Sequence, residues 1–270
     1  MSDKAAGVVP TRPAATAVIL RDGKTGIEVF MVVRHQEIDF ASGALVFPGG
    51  KVDAQDAAAE WAELAPHSTT LDRTFVVAAA RETFEEAGLV LARRRGSQAM
   101  LGAEDAHRLV ETYRPRLLAR ATSFLDLVRS EDLLLATDLM VPFAHWITPE
   151  RQPKRFDTHF LLVAAPVEQL GAHDGGESVE GFWIAPQQAL RDAEAGTRTL
   201  VLPTQMNLLK LTRYASVAEA VTATRTSRIV TVTPRVERLA NGRKLHIPAE
   251  AGYGVTEVLV PIPARPQSRS

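Results

Sequence analysis

Three carboxylates, Glu82, Glu85 and Glu86, stand at i, i+3 and i+4 in a stretch of helical periodicity. Val76, Ala80, Thr83, Phe84 and Ala87 recur on one face, which places the carboxylates together on the opposite one. Gly88 follows where a helix takes its left-handed stop. Like charges at this spacing repel, and these lie in the last turn, against the negative end of the helix dipole. Each penalty is only about 0.3–1 kcal/mol at an exposed site, so a solvated acidic face with Arg81 as its partner is one reading. The other is chemical. A hard divalent cation reverses the sign of the whole arrangement, and clustered carboxylates with room for waters and phosphates are how Mg²⁺ is usually held.

Upstream, Phe47-Pro48-Gly49-Gly50-Lys51-Val52-Asp53 closes an apolar strand with a glycine pair. Such a pair lets backbone approach a ligand closely, and an exposed carbonyl there can serve as a further oxygen ligand. Taken alone, Pro-Gly-Gly is a common turn. Together the two halves resemble the Nudix box, on Gly50, Asp56, Arg81, Glu82, Thr83, Glu85, Glu86, Gly88 and Leu89. The chain departs from that pattern in three places. Asp56 stands where the family usually has Glu, Thr83 where it usually has an aliphatic residue, and 57–80 fills a gap that is much shorter in most members. A box interrupted in this way is similar to the acyl-CoA diphosphatase branch of the family.

That resemblance implies an α+β Nudix fold, a mixed sheet sandwiched between helices, with an inserted helical block. It implies hydrolysis of a nucleoside diphosphate linked to another moiety. Mg²⁺ or Mn²⁺ would be held by Glu82, Glu85, Glu86 and the Gly50 carbonyl. Arg81 would orient the glutamates, Glu82 or Glu180 would orient or deprotonate water, and Glu177 is the second choice for that further acid. Arg34, Phe40, Lys51, Arg155 and Asp157 are the candidates for contact with substrate. Arg34 through Phe47 and Arg155-Phe156-Asp157-Thr158 resemble the coenzyme A-hydrolysing members, so the expected substrate is coenzyme A or acyl-CoA. The alternatives are an ADP-ribose, NDP-sugar or dinucleotide pyrophosphatase, and a catalytically silent ligand sensor. A sensor is expected to lose metal carboxylates, and this chain keeps all three.

Composition sets the remaining bounds. The 270 residues are 46% hydrophobic, enough for one substantial core. A net charge of −1 gives no basic footprint for nucleic acid. The absence of cysteine excludes disulfides and thiolate metal sites and suits a reducing cytoplasm. The first fifteen residues lack a signal-peptide apolar run, and no membrane partner is expected. A homodimer is compatible with these features. The seven histidines do not pair at zinc-ligand spacing along the sequence, so no zinc site is expected.

The elements that must position these residues follow in chain order. Strands are expected at 14–21 and 27–34, joined by a turn at 22–26, and at 44–47. An insertion within the box, 57–72, is expected to bulge outward. It carries a short helix over 56–65 in which Trp61 packs, and His67-Ser68-Thr69-Thr70 supplies a linker and an N-cap for the helix that follows. A brief strand is expected at 90–91, then a helical subdomain or lid over 101–132 with helices at 103–119 and 123–129. Strands follow at 139–147 and 155–164, broken by a turn at 148–154, and a period-two strand puts Arg155, Asp157 and His159 on one face. Beyond a strand at 181–184 come helices at 186–194, 203–214 and 217–224. A C-terminal hairpin and tail, 226–270, turns at Asn241-Gly242. The whole, 1–270, reads as a single domain.

Overall fold

The structure, a computed structural model, describes residues 9–33, 43–66, 69–172 and 181–261. Among these a nine-stranded mixed sheet forms the middle layer. Its centre is β1 (Arg12–Gly23), whose residues alternate between two cores. Ala15, Ala17 and Ile19 face one, Val18 and Leu20 the other. That is what period two produces when both faces of a sheet are covered.

The chain turns at Lys24 and Thr25 into β2 (Gly26–Val33), with Gly23 paired to Gly26. The turn is tighter than the expected 22–26 because both strands run further into it, and Gly26 takes a φ of 137° there. β3 (Ala44–Val46) pairs with β2, and β4 (Gly49–Lys51) returns antiparallel to β1, Gly50 opposite Ala15.

Next come α1 (Trp61–Leu64), α2 (Arg73–Glu82), β5 (Ala92–Arg94), α3 (Ala103–Leu118), α4 (Phe124–Ser130) and β6 (Leu133–Leu135). β7 (Val141–Ile147) and β8 (Phe156–Ala164) are antiparallel partners, and β8 lies parallel to β1. β9 (Gly181–Ile184) flanks β2. After α5 (Pro186–Glu194), β10 (Thr199–Leu200), α6 (Leu202–Leu211) and α7 (Val217–Thr226), β11 (Thr231–Val232) closes the far edge against β7. Helices α1 to α4 bury Trp61, Val77, Leu109, Phe124 and Leu127 on one side of the sheet. Helices α5 to α7 bury Ala189, Leu208, Leu211 and Ala220 on the other, with Phe143 and Trp146 of the sheet. The fold is the α+β sandwich that the sequence implied. No helix of the described residues is long and apolar enough to cross a membrane.

Several local expectations give way. The insertion does not bulge outward: Trp61, Leu64 and Ala65 are buried in the core that α2 lines. An indole is too large an apolar surface to leave wet. Its ring packs 5.9 Å from that of Phe124, and its N–H donates to the Gln55 carbonyl at 2.8 Å. The helix expected over 56–65 is instead a 3₁₀ turn at Ala54–Ala57 and the single turn of α1. The N-cap of α2 is Asp72, which accepts from the Thr74 N–H at 2.8 Å, rather than a residue of 67–70.

Val90 and Leu91 form no strand. The Gln169 side chain accepts from the Val90 N–H and donates to its carbonyl, so a side chain takes the place of a ladder there. The C-terminal turn is centred on Ala240 and Asn241, because Leu239 pairs with Gly242 between β12 (Arg235–Leu239) and β13 (Gly242–His246). A third strand, β14 (Glu257–Pro261), joins β13.

Candidate active site

Helix α2 lies on β1 through Val76, Val77, Ala79 and Ala80, all essentially inaccessible. Its continuation, Thr83–Ala87, is a π turn that ends at Gly88 with φ 64°. Thr83 stands at the junction of the two. Its N–H is shared between the carbonyls of Ala79 and Ala80, and its hydroxyl donates back to the Ala79 carbonyl at 2.8 Å. Ser and Thr make such back-bonds in helix interiors, and π turns concentrate at functional sites. A hydroxyl thus sits satisfied at a fully buried position where an aliphatic residue is usual.

The carboxylates do not form the solvated face drawn from α-helical spacing. Glu82 is only 8% exposed, while Glu85 and Glu86 are half-buried. Glu82 lies directly beneath Gly50: a Cβ there would come within 2.8 Å of the Glu82 Cδ, so a larger residue would displace that carboxylate. Glu86 accepts from the Gly49 N–H at 2.9 Å. The glycine pair and the helix are therefore one unit.

Arg81 holds it together. Its Nε and Nη2 each donate to the Asp56 carboxylate at 2.9 Å, a bidentate grip on a residue that is 2% exposed. Its Nη1 donates to Glu82 at 2.8 Å and to Glu85 at 3.3 Å, and Nη2 also reaches the Lys51 carbonyl at 2.9 Å. The shorter aspartate at position 56 thus still reaches the arginine. Asp56 is fixed in turn by the Asp53 N–H at 2.8 Å. From outside the box, Arg114 of α3 donates to the Glu85 carbonyl at 2.6 Å, a cation placed at a helix C-terminus.

One guanidinium divided among three acids leaves each only partly compensated. Burial raises the Glu82 carboxyl to about 7, Arg81 pulling it down and Glu86 and Glu85 pushing it up. Burial likewise raises Glu85 against the pull of Arg81. Arg81 is held above its ordinary value: burial disfavours its charge, but the bonds to Asp56 and the fields of Glu82, Asp56 and Glu85 outweigh that. A buried carboxylate set with surplus negative charge and a glycine backbone against it fits a hard divalent cation with oxygen ligands. Glu82, Glu85, Glu86 and the Gly50 carbonyl are the groups that would hold it.

The other candidates are more scattered. Lys51 is exposed at the end of β4, with its carbonyl held by Arg81. Arg155 is 8% exposed, and its Nε and Nη1 donate to the carbonyls of Thr148 and Val9. Asp157 lies beside His145 and His159 rather than beside the glutamates. Arg34, Phe40, Glu177 and Glu180 lie outside the described residues.

The sequence reading missed one cluster. His145, Asp157 and His159 offer ligand atoms that all lie within 4.8 Å of one another. The expectation against paired histidines considered spacing along the chain, whereas His145 and His159 are opposite partners across β7 and β8. The signal was present: the two stand on either side of the expected turn at 148–154, on strands that would pair across it.

The family model described as the NUDT19 Nudix domain matches residues 69–211. Nudix hydrolase 7 of Caenorhabditis elegans is 30% identical over 209 residues, covering 77% of this chain and 63% of that protein. The acyl-coenzyme A diphosphatase NUDT19 of Gallus gallus is 26% identical over 239 residues, covering 72% and 63%. The chain thus spans less than two thirds of the length of these curated relatives. Among solved structures, a NUDIX hydrolase from Alicyclobacillus acidocaldarius is similar, with a TM-score of 0.60 and 27% identity over 79% of this chain and 96% of that one.

Proposed function

The chain belongs to the Nudix hydrolase family, and from that premise we propose that it is a metal-dependent diphosphatase acting on coenzyme A or acyl-CoA. The observation that carries the hydrolytic reading is the cluster itself: Glu82 and Glu86 set against the glycine pair, and Glu82 and Glu85 sharing one arginine with Asp56. A fold gains nothing from such a concentration of buried negative charge unless a cation joins it. Mg²⁺ or Mn²⁺ held there would neutralise charge on the diphosphate and lower the pKa of a bound water.

The remaining work belongs to the chain. Arg81 keeps the carboxylates in register with Gly49 and Gly50. Glu82, raised toward neutrality by burial, is suited to take the proton as water attacks one phosphorus and the bridging P–O bond breaks. Glu180 is the alternative acceptor, and Glu85 and Glu86 supply fixed negative charge for the cation. Lys51, exposed beside Gly50, is placed to meet a phosphate oxygen. Asp157, on the same sheet face, remains a candidate for substrate contact.

The coenzyme A assignment is supported by the interrupted box and by relatives named as acyl-coenzyme A diphosphatases. The 3′-phosphate of coenzyme A calls for a cation with a bidentate grip. Because Arg155 is engaged by two backbone carbonyls, Arg34 is the better candidate. Leu118 of α3, a large apolar side chain left 59% exposed, offers surface for a pantetheine or acyl arm. The test compares kcat/KM for coenzyme A, dephospho-coenzyme A and ADP-ribose in Mg²⁺. Coenzyme A is expected to be preferred by about tenfold or more, roughly 1.4 kcal/mol in transition-state binding. Indifference to the 3′-phosphate, or a preference for ADP-ribose, would remove the coenzyme A assignment and leave hydrolysis of another diphosphate.

A further inference from the structure

On the same face of the sheet as α2 lies a second group of side chains able to ligate a metal, of which only Asp157 entered the reading above, as a candidate for substrate contact. The strand register builds it. Thr231, His145, His159, Ala15 and Gly50 are successive cross-strand partners on β11, β7, β8, β1 and β4. Asp157 stands two residues before His159, so it shares that face. The cluster lies two strands away from Gly50, about 10 Å at ordinary strand spacing, too far for one ion to serve both places.

Within the cluster, His145 Nε2 lies 2.5 Å and His159 Nε2 3.9 Å from the same Asp157 Oδ1. The two imidazoles are stacked, with centroids 4.0 Å apart and planes 8° from parallel. Two ligand atoms on one tetrahedral zinc are separated by about 3.3 Å. The two distances observed lie on either side of that value. An ion seated between the three groups would open one and close the other, the rings splaying slightly from their stack.

The surroundings suit such an ion. The other nitrogen of His145, Nδ1, is 2.7 Å from the Thr231 hydroxyl, a contact that fixes the ring and leaves Nε2 facing Asp157. Phe75 of α2 packs 4.3 Å from the His159 ring and walls one side. The side chains of His145, Asp157 and His159 remain 16%, 31% and 19% exposed, so an ion can enter and keep open positions for water or an anionic oxygen.

We propose that His145, Asp157 and His159 form a second divalent-metal site, for a borderline ion such as Zn²⁺ or Co²⁺ rather than the hard ion expected at the glutamates. Two imidazoles and one carboxylate select such ions by ligand type, as an all-oxygen set selects Mg²⁺. The site is independent of the diphosphatase reading, and its test needs no turnover.

The full chain, kept in excess Mg²⁺, is titrated with Co²⁺ while the visible ligand-field bands are followed. One equivalent is expected to give the intense bands of a low-coordinate, nitrogen-ligated ion, and Zn²⁺ is expected to displace it. His145→Ala and His159→Ala are each expected to weaken Co²⁺ binding by about 10–100-fold or more, on the scale of lost ligand-shell contacts. Glu85→Gln and Glu86→Gln should leave the bands in place. On the unaltered protein, Zn²⁺ should shift the imidazole NMR resonances of His145 and His159 and no other pair. Absence of the bands from the unaltered protein, their persistence in the doubly substituted His145→Ala, His159→Ala chain, or their loss in the glutamate variants alone would overturn the proposal. So would unmoved resonances for these two histidines.

Discussion

Glu86→Gln is expected to lower kcat by about 10²–10⁴-fold while the fold stays intact, the scale of a lost metal or acid–base contribution. The substitution separates charge from scaffold. Glu86 accepts the Gly49 N–H through one oxygen, and the amide of glutamine retains an oxygen that can do the same. The glycine pair is then still tied to the helix, and only the negative charge is gone. Kinetics in saturating Mg²⁺, with circular dichroism on the same sample, makes the check. Full activity in this variant would remove the carboxylate cluster from the chemistry.

The second large effect concerns stability. Arg81→Ala is expected to cost about 3–5 kcal/mol, the range for breaking a buried ion pair from one side. Asp56 is 2% exposed and takes two of its hydrogen bonds from this guanidinium. The carboxylates of Glu82 and Glu85 would lose the cation that pairs with both. Arg81→Lys should recover little, because an ammonium cannot make the bidentate grip on Asp56 while reaching Glu82 and the Lys51 carbonyl. Urea denaturation measures the loss. A cost below about 1 kcal/mol, the scale of an exposed pair, would mean that Arg81 is not the organiser of the box.

What was legible in the sequence follows from how local each signal is. Gly88 as a left-handed stop and Ser123 as a cap are read from adjacent residues, and both stand in the structure. The alternation of β1 and the glycine pair are equally local. The π turn is not, because whether Thr83 bonds back to Ala79 depends on a choice of rotamer rather than on spacing. Glu82 is buried because the end of the helix packs under Gly50, a contact between distant segments that helical spacing alone does not show. Trp61 shows the same limit: its own segment carries no sign of Phe124, which lies far along the chain and supplies the wall it packs against. Resemblance set Asp56 on the box pattern and Arg81 beside the glutamates, and only the fold shows that the two grip each other. His145 and His159 were legible in principle from the symmetry of their hairpin, but a search confined to linear spacing passes over cross-strand pairs.

The central claim is that the box carboxylates carry metal-dependent cleavage of a coenzyme A diphosphate link. Its most direct test is to incubate the chain with coenzyme A and with an acyl-CoA, in Mg²⁺ and in excess EDTA, and to identify the products by mass. The account predicts 3′,5′-ADP with 4′-phosphopantetheine or its acyl form in Mg²⁺, and no turnover in EDTA. Formation of those products at an undiminished rate in EDTA, or no cleavage of either compound in Mg²⁺ or Mn²⁺, would contradict it.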